Sequence, residues 1–171
     1  MLKKILLFVL VSIIAVMVQA QSLEGKWKSE QSDKDGNICI TLLFSKSEVF
    51  MKATGSKSDQ DFGTIGLTLS LPCSYSREGD SLFVTPYKEK AKGSLDKLEF
   101  KGELADSLEA NPEIKDFIKA VVAGTLDSKK DDLIKEFSLG VGLKIVSQTD
   151  SSLSIRDLKG TELLFTRVKE E

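Results

Sequence analysis

Apolar side chains recur at every second position through most of this chain, the period of a strand with one buried face. Leu23, Gly25 and Trp27 share one face of a first segment. Asp33-Lys34-Asp35-Gly36-Asn37 follows, with an Asp-Gly pair suited to a tight hairpin turn. Ile38 to Phe44 then alternates, with Ile38, Ile40, Leu42 and Phe44 on the strongly apolar side, and Glu48 to Thr54 forms the next segment. Polar residues from Gly55 to Asp61 predict a loop, and Ile65 to Tyr75 carries the clearest alternation, through Ile65, Leu67, Leu69 and Leu71. A turn at Arg77-Glu78-Gly79-Asp80 leads into Ser81 to Thr85; the charged stretch Lys88 to Gly93 reads as loop before Leu95 to Phe100. Gly142 to Gln148, Leu153 to Arg156 and Leu163 to Val168 repeat the idiom, split by Thr149-Asp150-Ser151 and Lys159-Gly160. About nine short strands separated by turns predict a mainly β domain, either a sandwich or a closed antiparallel barrel.

Between positions 104 and 139 the period lengthens to that of a helix. Asn111 can cap, Pro112 suits a first turn, and Ile114, Phe117, Ile118, Val121 and Val122 recur at helical spacing. Asp127 or Ser128 can cap a second helix bearing Leu133, Ile134 and Phe137, with Gly140 as its stop and Gly124-Thr125 as the break between the two. The pattern predicts a helical hairpin inserted between strands, its apolar stripes buried against the sheet. Those stripes either complete the core and cover one end of it, or act as a movable lid.

The first twenty residues stand apart. Lys3-Lys4 precedes an apolar run from Ile5 to Val18, and Val18-Gln19-Ala20 has the small or branched residues of a cleavage site. Those three regions predict a secretory signal over 1–20 and a mature domain over 21–171. The competing reading is a retained membrane anchor, since about 20 apolar residues span a bilayer. Position 21 is Gln, so the usual bacterial lipoprotein cysteine is missing. No later segment is apolar enough to span, and the expected location is a periplasm or the outside of the cell.

The whole chain carries a net charge of −2, and without Lys3 and Lys4 the balance is 22 basic to 26 acidic side chains. That excludes a strongly basic nucleic-acid binder. There is no histidine, which removes histidine triads, general bases and metal ligands. Cys39 and Cys73 are the two cysteines. In an oxidising compartment they suggest a bridge worth ~3 kcal/mol. Yet Cys39 points away from the apolar face of its strand while Cys73 keeps the phase of the leucines, so two separate thiols are an equal expectation.

Chemical motifs are scarce. Ser94-Leu95-Asp96-Lys97 fits the S-x-x-K nucleophile pattern without its companions, in a turn before a strand. Asp33-x-Asp35-Gly36-Asn37 resembles part of a calcium loop, but its twelfth position is Phe44, where Glu is needed. Gly140-Val141-Gly142 leads into a strand and lacks the third glycine of a dinucleotide loop. Neither a catalytic residue, a metal site nor a cofactor is expected.

Leu23-Glu24-Gly25-Lys26-Trp27-Lys28 resembles the Gly-x-Trp signature on the first strand of lipocalins and related calycins. Gly160-Thr161-Glu162-Leu163-Leu164-Phe165-Thr166-Arg167-Val168 is similar to the closing strand of lipocalin-like domains in secreted bacterial proteins. Tyr75 to Leu82 and Ile145 to Leu153 resemble that family's midchain strand-turn-strand and its penultimate hairpin. The likeness implies an antiparallel β-barrel of about eight or nine strands. It also implies a stacked pair, Trp27 at the closed end with Arg167 across its indole, beside Gly25. Most lipocalins carry their main helix after the eighth strand, whereas here about three strands follow the helical region.

The function expected from these readings is a secreted or periplasmic binding protein for an apolar or amphipathic small molecule. Its candidate lining is Ile40, Leu42, Phe44, Leu67, Leu69, Phe83 and Phe100. The alternative is an envelope or secreted interaction protein whose barrel is filled by its own side chains. Enzyme chemistry ranks below both.

Overall fold

In the computed structural model, residues 22–32, 34, 36–59, 61, 63–138, 142–157 and 159–169 are described, without the side chains of 133 and 135–138. The expected signal segment, and Asp33 and Asp35 of the calcium-like loop, lie outside them. Alternation becomes nine antiparallel strands: β1 (Gly25–Ser32), β2 (Gly36–Phe44), β3 (Glu48–Asp59), β4 (Gly63–Glu78), β5 (Ser81–Pro86), β6 (Lys92–Phe100), β7 (Gly142–Gln148), β8 (Ser152–Arg156) and β9 (Glu162–Val168). A 3₁₀ turn occupies Lys88–Lys90, and two helices, α1 (Gly102–Glu109) and α2 (Pro112–Ser138), follow β6.

The strands run β3-β2-β1-β9-β8-β7-β5-β4-β6, and β3 also pairs with β4. That extra pairing closes eight strands into a barrel and leaves β6 as a ninth strand outside the ring. β4 makes this possible through its length of 16 residues. Along one edge, its Cys73–Glu78 half pairs with β5 and its Gly63–Ser70 half pairs with β6. Past the β5 junction, β2, β3, β4 and β6 therefore extend beyond the ring as a longer flank.

Two expected loops are strand instead. Gly55–Asp61 belongs to β3 as far as Asp59, because Gly55 to Asp59 pair residue for residue with Leu67 to Gly63. The end of the charged stretch, Lys92-Gly93, opens β6 opposite Ser70 and Leu69. Polar residues are tolerated there because one face of a flank looks to solvent.

The helical hairpin is also corrected. Gly124-Thr125 does not break α2, which continues for 27 residues. A single glycine costs a helix interior only ~1 kcal/mol, and the Thr125 hydroxyl donates back to the Val121 carbonyl at 2.9 Å. Burial of the stripes is partial. Ile134 joins the barrel core and Leu126 is half-buried, but Ile114, Phe117 and Val121 are exposed, Phe117 by 68%. Leu133 and Phe137 are among the side chains not described.

Candidate ligand cavity

Trp27 of β1 is fully buried in the barrel core. Its Nε1 donates to the Leu23 carbonyl at 2.8 Å, folding the entering chain under the first strand. Trp27 pairs directly with Arg167 of β9, and the guanidinium carbon lies 4.4 Å from the ring centroid. Arg167 Nη2 also donates to the Ser22 carbonyl at 3.3 Å. Its buried Nε has no acceptor among the described atoms, and the indole π-face is what faces the cation there. Gly25 has φ +118°, and a Cβ on it would sit 3.4 Å from Arg167 Nη1. The glycine thus supplies both a backbone that L side chains rarely adopt and the room for the guanidinium.

The inner faces of β2, β3 and β4 run in register with Trp27. Trp27 opposes Leu42, Leu42 opposes Met51 and Met51 opposes Leu71. One step higher, Ile40 opposes Ala53 and Ala53 opposes Leu69. Within these layers lies an apolar cavity of about 310 Å³. Its far wall comes from Leu82 and Val84 of β5, Leu143 of β7, Ile155 of β8 and Phe165 of β9. Lys52 and Asp157, of opposite charge, are the ionic residues at its wall. A second chamber of about 600 Å³, lined by Ile38, Gly55, Ile65 and Leu67 with a polar rim, opens between the ends of the long strands.

Of the lining residues expected from sequence, Ile40, Leu42, Phe44 and Leu69 meet in the 310 Å³ cavity, and Leu67 lies in the outer one. Phe83 does not line either. It sits on the outer face, 39% exposed, while its neighbours Leu82 and Val84 point inward. Leu82-Phe83-Val84 is a continuous apolar run, so alternation alone leaves its phase open; pairing with β4 and β7 fixes it. Phe100 is half-buried at the far end of β6, opposite Gly63, away from both chambers. Val49 and Met51 were missed as lining, although they occupy the apolar phase of the strand read from Glu48 to Thr54.

Cys39 and Cys73 are free thiols, the second of the two equal expectations. Cys39 opposes Thr54 and Cys73 opposes Val49 on β3, so β3 lies between them. Two strand spacings across and five residues along amount to a separation on the order of 19 Å. No disulfide reaches that far. Burial pushes the Cys73 thiol up to about 11, which keeps it neutral. The same cause raises Tyr75, whose hydroxyl donates to the Ser45 carbonyl at 2.9 Å and whose ring meets Phe44 edge-on at 5.1 Å.

Polar clusters lie outside the cavity. Ser94 of the S-x-x-K match is in β6, and its hydroxyl donates to the Asp96 carboxylate at 2.7 Å. Together with the Thr68 hydroxyl it holds Asp96 below its ordinary range. Ser154 and Arg156 do the same for Glu162, at 2.5 and 3.0 Å. Among the described residues no three Asp, Glu or Cys side chains gather in metal-binding geometry.

Helix α2 lies over the barrel's inner side. Gly93 of β6 opposes the cavity residue Leu69, and a Cβ on Gly93 would meet Leu126 of α2 at 3.0 Å. Neighbours paired across two strands share a face, so the helix approaches from the face that lines the cavity. No described helix is long and apolar enough to cross a membrane. Compared with known proteins, the chain matches no family model and no curated protein.

Proposed function

We propose that this protein is a lipocalin-like carrier of an apolar or amphipathic small molecule, exported to a periplasm or beyond the cell. It performs no catalytic step of its own. The observation that carries the reading is the 310 Å³ cavity, walled by aliphatic and phenylalanine side chains with two ionic residues at its edge. Ligand sites of this size and polarity bury most of a small molecule and orient it with few polar groups. Secretion rests on the signal-like pattern of residues 1–20, and the family likeness on the Gly25–Trp27 and Arg167 motifs.

Titration with an environment-sensitive apolar dye tests it. Saturable binding by folded wild type is expected, and Leu69→Trp, which fills the cavity, should abolish it. Phe83→Trp, on the outer face, should leave it intact. Absence of saturable binding by folded protein overturns the carrier reading.

A second reading, an interaction protein, is favoured by the exposed stripe Ile114, Phe117 and Val121 on α2. Three apolar side chains at spacings of three and four residues form a helix face of the kind that seats in a partner's groove. Retention of dye binding together with loss of a partner on Phe117→Ser would require both roles.

A further inference from the structure

We infer that the exposed face of α2 docks a cationic amphipathic helix of a partner protein, an apolar stripe flanked by lysine or arginine. This rests on the interaction reading and names the partner's chemistry. An α-helix turns about 100° per residue, which gives Pro112–Ser138 two distinct faces. Leu126, packed against Gly93 of β6, lies half a turn round from Phe117 and fixes the face that meets the barrel. Further along, Ile134 enters the core. Phe117 therefore points away from the protein, and Ile114 and Val121 lie within ~60° of it on the same side. All three are more than half exposed, and none turns inward without lifting Leu126 off β6.

Charge says what covers the stripe. Residues 102–132 hold eight acidic and four basic side chains. Residues 21–171 carry a net charge of −4, so this helical arm accounts for all of it and the remainder balances. The signs are also sorted around α2. Between positions 112 and 132, Glu113, Asp116, Asp127, Asp131 and Asp132 lie within ~100° of Phe117. Lys115, Lys119, Lys129 and Lys130 lie ~120° or more away, set back toward the barrel.

Carboxylates thus border the stripe. Lys119, Lys129 and Lys130 reach Asp116, Asp132 and Asp127 at 3.4, 3.8 and 3.0 Å. Exposed pairs of this kind are weakly held, so an incoming cation replaces them at little cost. Helix α1 adds exposed Glu103, Asp106 and Glu109 and no basic residue. Ala120 and Gly124 share the face with Phe117, and a Cβ on Gly124 would meet nothing within 4 Å, so a partner helix can approach the backbone closely. An apolar seam with opposite charges on its flanks is the pairing rule of helix on helix. The same polarity disfavours two other occupants. A second copy would set carboxylates against carboxylates, and an anionic bilayer would repel the arm.

Fluorescence anisotropy with two labelled 18-residue helical peptides tests this, using the full mature protein. The peptides share one leucine stripe; lysines flank it in one and glutamates in the other. The lysine peptide should bind saturably, at least tenfold more tightly than the glutamate peptide, and more weakly as salt rises. Phe117→Ser should weaken it at least tenfold, and Glu113→Lys with Asp116→Lys at least fivefold. Leu164→Ser, at an exposed leucine of β9, should change it by less than twofold. Equal losses in Leu164→Ser and Phe117→Ser overturn the site, and tighter binding of the glutamate peptide overturns its polarity. Sedimentation as a dimer that Phe117→Ser disperses assigns the face to a second copy, and flotation with phosphatidylglycerol vesicles assigns it to a membrane; either overturns the cationic partner. Failure of the lysine peptide to bind overturns the proposal. A partner still lost on Phe117→Ser would then leave the interaction reading standing, and its absence would remove both. If a thermal melt shows Phe117→Ser unfolded, the charge contrast between the two peptides in wild type decides alone.

Discussion

Arg167 and Trp27 are directly paired residues of the last and first strands, and the guanidinium carbon stands 4.4 Å from the indole centroid. The contact joins the two ends of the barrel across a 140-residue separation. Trp27→Ala empties a fully buried site and should cost on the order of 3–5 kcal/mol. Arg167→Ala should cost roughly 0.5–2 kcal/mol, the range of such a cation–π pair. Urea unfolding of both variants and the double variant checks this. Strictly additive losses would show that the two side chains do not interact.

The fit of α2 on β6 depends on Gly93. Gly93→Val places methyl groups against Leu126, whose Cγ and Cδ2 lie 3.0 and 3.2 Å from the glycine's Cβ position. The expected cost is ~1–3 kcal/mol, as for other overpacked contacts. Hydrogen exchange should quicken in peptides of α2 and stay unchanged around Trp27. Equal acceleration throughout would mean that helix and barrel open as one unit.

Phe117 contributes area to solvent rather than to the core. Phe117→Ser should therefore change stability by no more than ~0.5 kcal/mol, despite removing an aromatic ring from a helix. A loss of several kcal/mol in a denaturant melt would place the ring against the protein.

The two thiols should behave differently. At pH 8 iodoacetamide is expected to modify half-buried Cys39 and spare buried Cys73 in folded protein. Burial raises Cys73 from an ordinary 9.0 to about 11, so above pH 9 the unfolded chain gives up this proton before the folded one. Stability from the neutral thiol is complete below about pH 9. It declines as pH rises toward 11, by at most ~1.4 kcal/mol per pH unit. Tyr75 and Tyr87 are raised as well and add the same sign at higher pH. Denaturant melts at pH 8 and 10 should show a smaller drop for Cys73→Ala than for wild type.

Strands announced themselves where one side faces the core and the other faces water. Ile65 to Leu71 alternates most cleanly in sequence, yet only Leu71 of its apolar residues is buried and Ile65 is exposed, because that half of β4 runs past the ring; the Trp27–Arg167 pair was legible because both segments carry a motif. Three things were not legible. The phase of Leu82-Phe83-Val84 is set by neighbours on β4 and β7, because all three residues are apolar. The free state of the cysteines follows from register, since only pairing places β3 between them. The continuity of α2 through Gly124 reflects helix on both sides of the glycine, where a local rule sees only the weak residue. Of the candidate lining, four residues meet in the apolar cavity because β2 and β4 alternate without interruption.

The pairing of β5 with β7 has an architectural consequence. Phe83 opposes Gly142 and Ser81 opposes Lys144, so the ring is already closed at that seam. Everything from the end of β5 at Pro86 to the start of β7 at Gly142 is a detour from a simple up-and-down meander. Such a detour adds no hydrogen bond to that seam, and its Ala91 and Ile134 pack into the barrel core. A shortened gene in which a turn replaces it should still encode a barrel, stripped of its helical roof, while the same cut elsewhere would sever the ring. The ring is thus one architectural unit and the helix-bearing segment another, joined through β4 and the core contacts of Ala91 and Ile134.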